Sequence, residues 1–402
     1  GFFKQFFNEL KAATTGMDAP ITRLFVTGVT PVTMDDVTSG FNIATNVSLD
    51  PAFAAFTGFT HEDLREMLAY YRAHAGFAFD ESAVFETMRR WYDSYRFAPE
   101  AGADGNEPPR VANPTLVLYY MQYFLRNHRP QPDLVDENLR TDYMKIRHVI
   151  TEGRKVNGNF HRLEDLIDRL GATATLRKSF QAKELGVADN FVSFLFYNGL
   201  VTVTGEHLGR SALGIPNLAV GEFLHDFVPK AYQDLNGIDP RVFDIANGMT
   251  DFAETGDWRG AVETACGVVS RYWKVRDALE GERVVQTALC SLLYVGHGPY
   301  IVRHERESAG GFVDIAFEPQ LSRWPEIGHA ALVELKYLKA ADDASPAALA
   351  QIRDAAAAQL ARYAADHDRA RAWNLKESGG TVTLHRVVLV FHGGDVALCE
   401  EI

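Results

Sequence analysis

The chain has 402 residues, 47% of them hydrophobic and 23% charged, and a net charge of −13. That length exceeds one ordinary core and predicts two or three domains. The acidic balance excludes a sequence-independent nucleic-acid coat, which would be basic, but leaves room for an enzyme whose metal-binding carboxylates add negative charge themselves. Cys266, Cys290 and Cys399 lack metal-ligand spacing and read as buried free thiols of a reducing, cytoplasmic compartment. No apolar run has the length of a membrane span and no signal peptide is visible, so no membrane partner is expected. Gly1 opens the chain inside an amphipathic pattern (Phe2, Phe3, Phe6, Phe7, Leu10), which points to a longer natural N-terminus.

Leu24–Val29 reads as a short buried strand, stopped by Thr27-Gly28 and Thr30-Pro31, an ending typical of parallel α/β sheets. Helices are predicted over His61–His74 and Glu81–Tyr95, and Pro99–Pro109 reads as a loop. Asn113-Pro114 caps and starts the next helix. From about Thr151 the helical segments Phe160–Arg169 and Ala182–Tyr197 lead into an alternating strand, Leu200–Thr204, and then Leu213–Asn217. Helix, turn and two strands make a winged-helix-like unit. Its apparent recognition helix is more aromatic than basic, which favours packing over DNA reading. Val220–Tyr232 and Pro240–Tyr272 continue as helices.

The C-terminal third is the most informative. Gly281–Tyr294 is helical, and strands follow at Pro299–Glu305, Gly311–Phe317 and Ala330–Leu338. A long Ala-rich helix (Pro346–His367) precedes two last strands, Thr381–Phe391 and Asp395–Cys399. Asp314 lies in the second of these strands, and Glu334 and Lys336 in the third. Side chains alternate along a strand, so Glu334 and Lys336 share a face. An Asp, a Glu and a Lys on neighbouring strands are the groups that hold a divalent cation with an ammonium beside it, a site suited to phosphodiester hydrolysis. Asp314 and Glu334 are the expected metal ligands, with the Leu335 carbonyl as a third oxygen. His304, His329 and His385 show no zinc-ligand spacing and read as surface or strand-face residues.

Two family resemblances follow. Arg23–Thr33, Ser39–Ile43, Gly58-Phe59-Thr60, Trp91–Phe97, Asn113-Pro114 and Asp136-Glu137-Asn138 together resemble the AAA-ATPase-like family often fused to a PD-(D/E)XK nuclease. The resemblance covers roughly residues 20–145 and places Thr27 and Thr30 near a γ-phosphate-sensing position. Asp93 and Arg96, among aromatic neighbours, read as packing residues. No G-x-x-x-x-G-K-[ST] loop occurs, so these 402 residues alone are not expected to hydrolyse ATP. ATP would bind only with a P-loop lying upstream.

Glu307–Ile315, Val333–Lys336 and Ala358-Gln359-Leu360 with Tyr363 resemble the PD-(D/E)XK nucleases, as does the order helix, three strands, helix, strand. Phe312 stands where that family usually carries an arginine. The resemblance implies a Mg²⁺- or Mn²⁺-dependent nuclease acting on nucleic acid, DNA before RNA. Its catalytic residues would be Asp314, Glu334, Lys336, Glu282 and Gln359. Lys336 would orient the attacking water or stabilise the transition state, Glu282 would complete the metal shell, and Gln359 would position a ligand or the phosphate.

The fold class is therefore α/β: an ATPase-like region (1–150), a helical and winged-helix-like linker (151–270) and a restriction-endonuclease-like core (271–402). The acidic charge and Phe312 motivate one alternative, a catalytically degenerate interaction or regulatory protein retaining both folds. DNA binding through the winged-helix-like segment is another.

Overall fold

The computed structural model describes residues 2–15, 18–28, 45–100, 107–131, 133–135, 159–168, 171–181, 184–275, 282–294, 298–308, 311–376 and 380–402. These fall into two compact units, Gly1–Gly221 and Glu222–Ile402. The segment 151–270, expected as a middle domain, contributes to both.

The first unit carries α1 (Phe2–Ala13), α2 (His61–His74), α3 (Glu81–Tyr92), α4 (Pro114–Asn127), α5 (Asn159–Asp168) and α6 (Ala188–Tyr197). Local chemistry sets the helix starts. Thr60 and Asp63 form a reciprocal capping box on α2, Asp80 accepts from two amides of α3, and Asn113 caps α4 with Pro114 in its first turn. Strands β1 (Ala172–Ala174), β2 (Thr202–His207) and β3 (Arg210–Gly214) form an antiparallel sheet in the order β1-β3-β2. The β2–β3 turn places Leu208 and Gly209 both at positive φ, as a tight two-residue hairpin requires. Helix α6 is buried from Asn190 to Phe196, so its aromatic residues pack in the interior. Asp93 and Arg96 are buried as well. Asp93 lies 2.6 Å from His61 Nε2, and the Arg96 amide donates to Thr202 Oγ1 at 2.6 Å, joining this segment to β2.

One expectation fails here. Residues 24–28 form no strand, and Leu24, Phe25 and Val26 are 40, 60 and 42% exposed. Three apolar residues make a buried strand only where a neighbour satisfies their main-chain groups, and none does so among the described residues. Phe25 instead meets the Phe56 ring edge-on at 5.5 Å. The small antiparallel sheet is this unit's one sheet among the described residues, so the parallel ATPase-like sheet expected here is not formed by them. Thr30, Ser39–Ile43 and Asp136–Asn138 lie outside the described residues.

Helix α7 (Leu218–Asn236) leads into the second unit, which continues with α8 (Val242–Thr255), α9 (Arg259–Val275) and α10 (Glu282–Leu293). The helical run expected over Pro240–Tyr272 is broken at Gly256, whose φ of +84° ends α8 in the left-handed region. Then come β4 (Tyr300–Ser308), β5 (Gly311–Pro319), β6 (His329–Leu338), α11 (Pro346–Ala364), α12 (His367–Ala372), β7 (Thr383–His392) and β8 (Asp395–Glu401). The sheet order is β4-β5-β6-β7-β8. Its β6–β7 pair is parallel, bridged by the α11 crossover, and its other pairs are antiparallel. Strand β6 is buried without interruption from Ala330 to Leu335, as befits a central strand covered on both faces. On one face Ala356, Leu360 and Tyr363 of α11 join Leu332, Val388 and Val390 in a common cluster. On the other, Phe252 of α8 stacks on Tyr300 at 4.9 Å and meets Phe317 edge-on.

His329 and His385 are strand-face residues of β6 and β7, while the His304 side chain lies outside the description. His329 Nδ1 is 3.0 Å from His385 Nε2, and His385 Nδ1 is 2.6 Å from Glu401 Oε1. Trp258 Nε1 donates to the other Glu401 oxygen at 2.9 Å. Gly256 completes this corner: a Cβ there would lie 2.7 Å from His329 Cε1. Gly256→Ala combines that clash with a left-handed backbone costing an L-residue about 1–2 kcal/mol. We expect it to destabilise the protein by about 2 kcal/mol or more, read as a lower urea midpoint; an unchanged midpoint would contradict both the clash and the backbone cost.

Candidate active site

Asp314 sits on β5 and Glu334 and Lys336 on β6, and the structure brings all three together. The β5–β6 register runs Phe317–Ala331, Ala316–Leu332, Ile315–Val333 and stops there. Beyond that point side chains take over the role of the ladder. The Leu335 N–H donates to Asp314 Oδ2 at 2.8 Å, and the Tyr337 N–H to Glu282 Oε2 at 3.2 Å. The Asp314 carbonyl accepts from Gln286 Nε2 of α10 at 2.7 Å. Two carboxylates and an amide thus satisfy main-chain groups that pairing leaves free.

Lys336 lies at the centre. Its Nζ donates to Glu334 Oε1 at 2.7 Å and to the Leu335 carbonyl at 3.0 Å, and it lies 3.6 Å from Asp314 Oδ2. The Glu334 side chain is fully buried, and its Oε2 has no hydrogen-bond partner. Burial raises the pKa of Asp314 against the pull of Lys336, and raises that of Glu282. Burial, then the Asp314 charge, pushes Glu334 up to about 7. Burial would lower Lys336, but the Glu334 hydrogen bond and the charges of Asp314, Glu334 and Glu282 outweigh it and raise its pKa. The lysine is a protonated ammonium at neutral pH.

Gln359 makes its hydrogen bond elsewhere. Its Nε2 donates to the Tyr363 hydroxyl at 2.7 Å, and no hydrogen bond joins it to Asp314 or Glu334 among the described residues. Tyr363 covers the start of β5, where a Cβ on Gly311 would lie 2.7 Å from its hydroxyl oxygen. A side chain there would have to displace the tyrosine ring. The Phe312 side chain lies outside the description.

Among the described residues, no group of three or more His, Cys, Asp or Glu is arranged to enclose a metal ion. The donor chemistry nevertheless fits one. Three carboxylates share a single ammonium, all three have raised pKa values, and one buried Glu334 oxygen is unpartnered. The Lys336 ammonium itself touches Glu334 and the Leu335 carbonyl and approaches Asp314, the oxygen set expected for the ion. Hard oxygens gathered on one positive charge are what Mg²⁺ or Mn²⁺ takes.

Residues 280–401 match the family model of the PD-(D/E)XK nuclease superfamily. This segment holds α10, the whole five-stranded sheet and every residue of the constellation. The C-terminal sheet is consistent with that superfamily's core, and a domain of this kind points to phosphodiester hydrolysis in nucleic acid. The match does not reach the residues that resemble the ATPase-like family. No curated protein matches the chain. Among the described residues no helix is long and apolar enough to cross a membrane.

No role is assigned from the sequence to Gln286, which lies four residues after Glu282 on the same helical face. The i, i+4 spacing was visible; its hydrogen bond to the Asp314 carbonyl is tertiary and leaves no local signal.

The raised Glu334 pKa has a signed consequence. Between pH 4.5 and 7 the unfolded chain binds fewer protons at this group than the folded one, so metal-free stability falls as pH rises through that window. At 1.36 kcal/mol per unit the effect is on the order of 3 kcal/mol at most. Glu334→Gln should flatten this part of the stability–pH curve in chelator-treated protein. Parallel curves for the two proteins would contradict the assignment.

Proposed function

We propose that the chain is a metal-dependent nuclease whose catalytic centre is Asp314, Glu334 and Lys336. The observation that supports this reading most is the convergence of both carboxylates and the Leu335 carbonyl on Lys336 Nζ, within a segment that matches a nuclease superfamily. Asp314, Glu334 and that carbonyl would hold Mg²⁺ or Mn²⁺. A bound divalent ion supplies Lewis acidity toward the phosphate and a water of lowered pKa. The chain's own groups do the rest. Lys336, kept protonated, donates to a phosphate oxygen or the attacking water and favours the more negative transition state. The Leu335 N–H fixes one Asp314 oxygen, so that carboxylate meets the site in one orientation. Three carboxylates around one lysine would repel a polyanion, and a divalent ion removes that barrier. Glu282 adds to the negative field while holding the Tyr337 N–H, and Gln359 with Tyr363 supports the start of β5. The ATPase-like resemblance of residues 20–145 makes a regulatory module upstream of the nuclease part of this proposal, without ATP hydrolysis by these residues alone.

Purified protein with Mg²⁺ or Mn²⁺ is expected to cut at least one of single-stranded DNA, double-stranded DNA and RNA, and to stop when EDTA is added. Asp314→Ala and Glu334→Ala should abolish cleavage, and Lys336→Ala should slow it by about 10²–10³-fold, the usual cost of one transition-state donor. Failure to cut any of these substrates with either ion, in protein shown to be folded, would leave a degenerate interaction protein as the better reading.

A further inference from the structure

Helix α10 touches both strands of the site at the point where they part. Glu282 in its first turn accepts from the Tyr337 amide of β6, and Gln286, one turn on, donates to the Asp314 carbonyl of β5. Residues four apart on a helix are separated by about 5–6 Å, close to the roughly 4.8 Å between neighbouring strands. One helical turn is therefore the right length to bridge two adjacent strands. Gln286 is 3% exposed and Glu334 is fully buried, so both act in a dry environment where an unmade hydrogen bond is costly.

We propose that α10 is the gauge that holds β5 and β6 apart at the site, with Gln286 as the positioning residue that sets where Asp314 stands relative to Glu334. The proposal rests on the reading of those carboxylates as ion ligands. Its physical content is a competition. Continued antiparallel register would bring Val313 opposite Leu335, and the Leu335 N–H would then bond a β5 carbonyl instead of Asp314 Oδ2. Anchoring the Asp314 carbonyl on α10 opposes that closure. Removing the Gln286 donor leaves a buried carbonyl unpaired and lets the strands zip one step further. Asp314 is then pulled off its anchor, and the oxygens no longer meet at one point.

The test measures ion binding as well as cleavage. Gln286→Leu, similar in bulk but without a donor, should weaken Mn²⁺ binding by about tenfold or more in calorimetry, the usual range for loss of a residue that orients a ligand. It should also shrink the rise in melting temperature that Mn²⁺ produces. Raising the ion concentration should restore its cleavage rate to within about threefold of wild type, a rescue that a folding defect would not show. If Gln286→Leu fails to fold, Gln286→Met carries the same measurements. Glu282→Gln, which keeps an acceptor for the Tyr337 N–H, should bind Mn²⁺ better than Glu282→Ala. Wild-type Mn²⁺ affinity in folded Gln286→Leu, or equal losses in the two Glu282 variants, would overturn the gauge while leaving the ion site standing. If wild-type protein neither binds Mn²⁺ nor cuts nucleic acid, the ion-site reading itself falls, and the gauge with it.

Discussion

The site depends on a β-ladder that stops early. Two neighbouring strands gain by pairing along their whole length, and β5 and β6 give this up after Ile315–Val333. Main-chain groups freed in a buried sheet must find other partners. Here the Leu335 and Tyr337 amides find Asp314 and Glu282. The carboxylates that carry the proposed chemistry are thus also what makes the parting of the strands tolerable. Fold and site are coupled at these bonds.

The same arrangement has an electrostatic cost. A fully buried carboxylate with one unpartnered oxygen is an unfavourable way to fill a sheet, and the upward pKa shifts of Glu334, Asp314 and Glu282 express it. Lys336 offsets part of it, and its own raised pKa shows that the attraction outweighs the loss of hydration. A single ammonium cannot balance three carboxylates. The remaining negative charge lies where a divalent cation would relieve it, so local instability and proposed function have one origin.

The sheet and the central residues were legible in the sequence because each rests on a local signal. Strands β5 and β6 appear as apolar runs, and the period of two puts Glu334 and Lys336 on one face. The order of helix, strands and crossover narrows the topology further. Leu24–Val29 misled because its composition matches that of a buried strand, whereas burial needs a partner that composition does not reveal. The break at Gly256 went unread because a lone glycine in a helical pattern is often tolerated; here it stands against His329. The His329–His385–Glu401 chain joins residues 56 and 16 apart, and the Gln286–Asp314 bond spans 28. Contacts of that range exist only once the strands are placed. Gln359 is intermediate: the helix that carries it was predicted, but its bond to Tyr363 is not visible in the local pattern.

The Glu-x-Lys spacing also gains a reason from its middle residue. Leu335 points its side chain into the core, yet its N–H holds Asp314 and its carbonyl receives Lys336. Three consecutive residues therefore supply a carboxylate, a main-chain donor, a main-chain acceptor and an ammonium. The two charged side chains share a face because they are two apart, and the peptide groups between them are free because β5 has turned away. The one group this tripeptide cannot supply is a second carboxylate. That must come from the neighbouring strand, at a position that continues the ladder's register past its last pair, and Asp314 occupies it. The pattern of one isolated Asp and one compact Glu-x-Lys thus follows from the geometry of two strands parting.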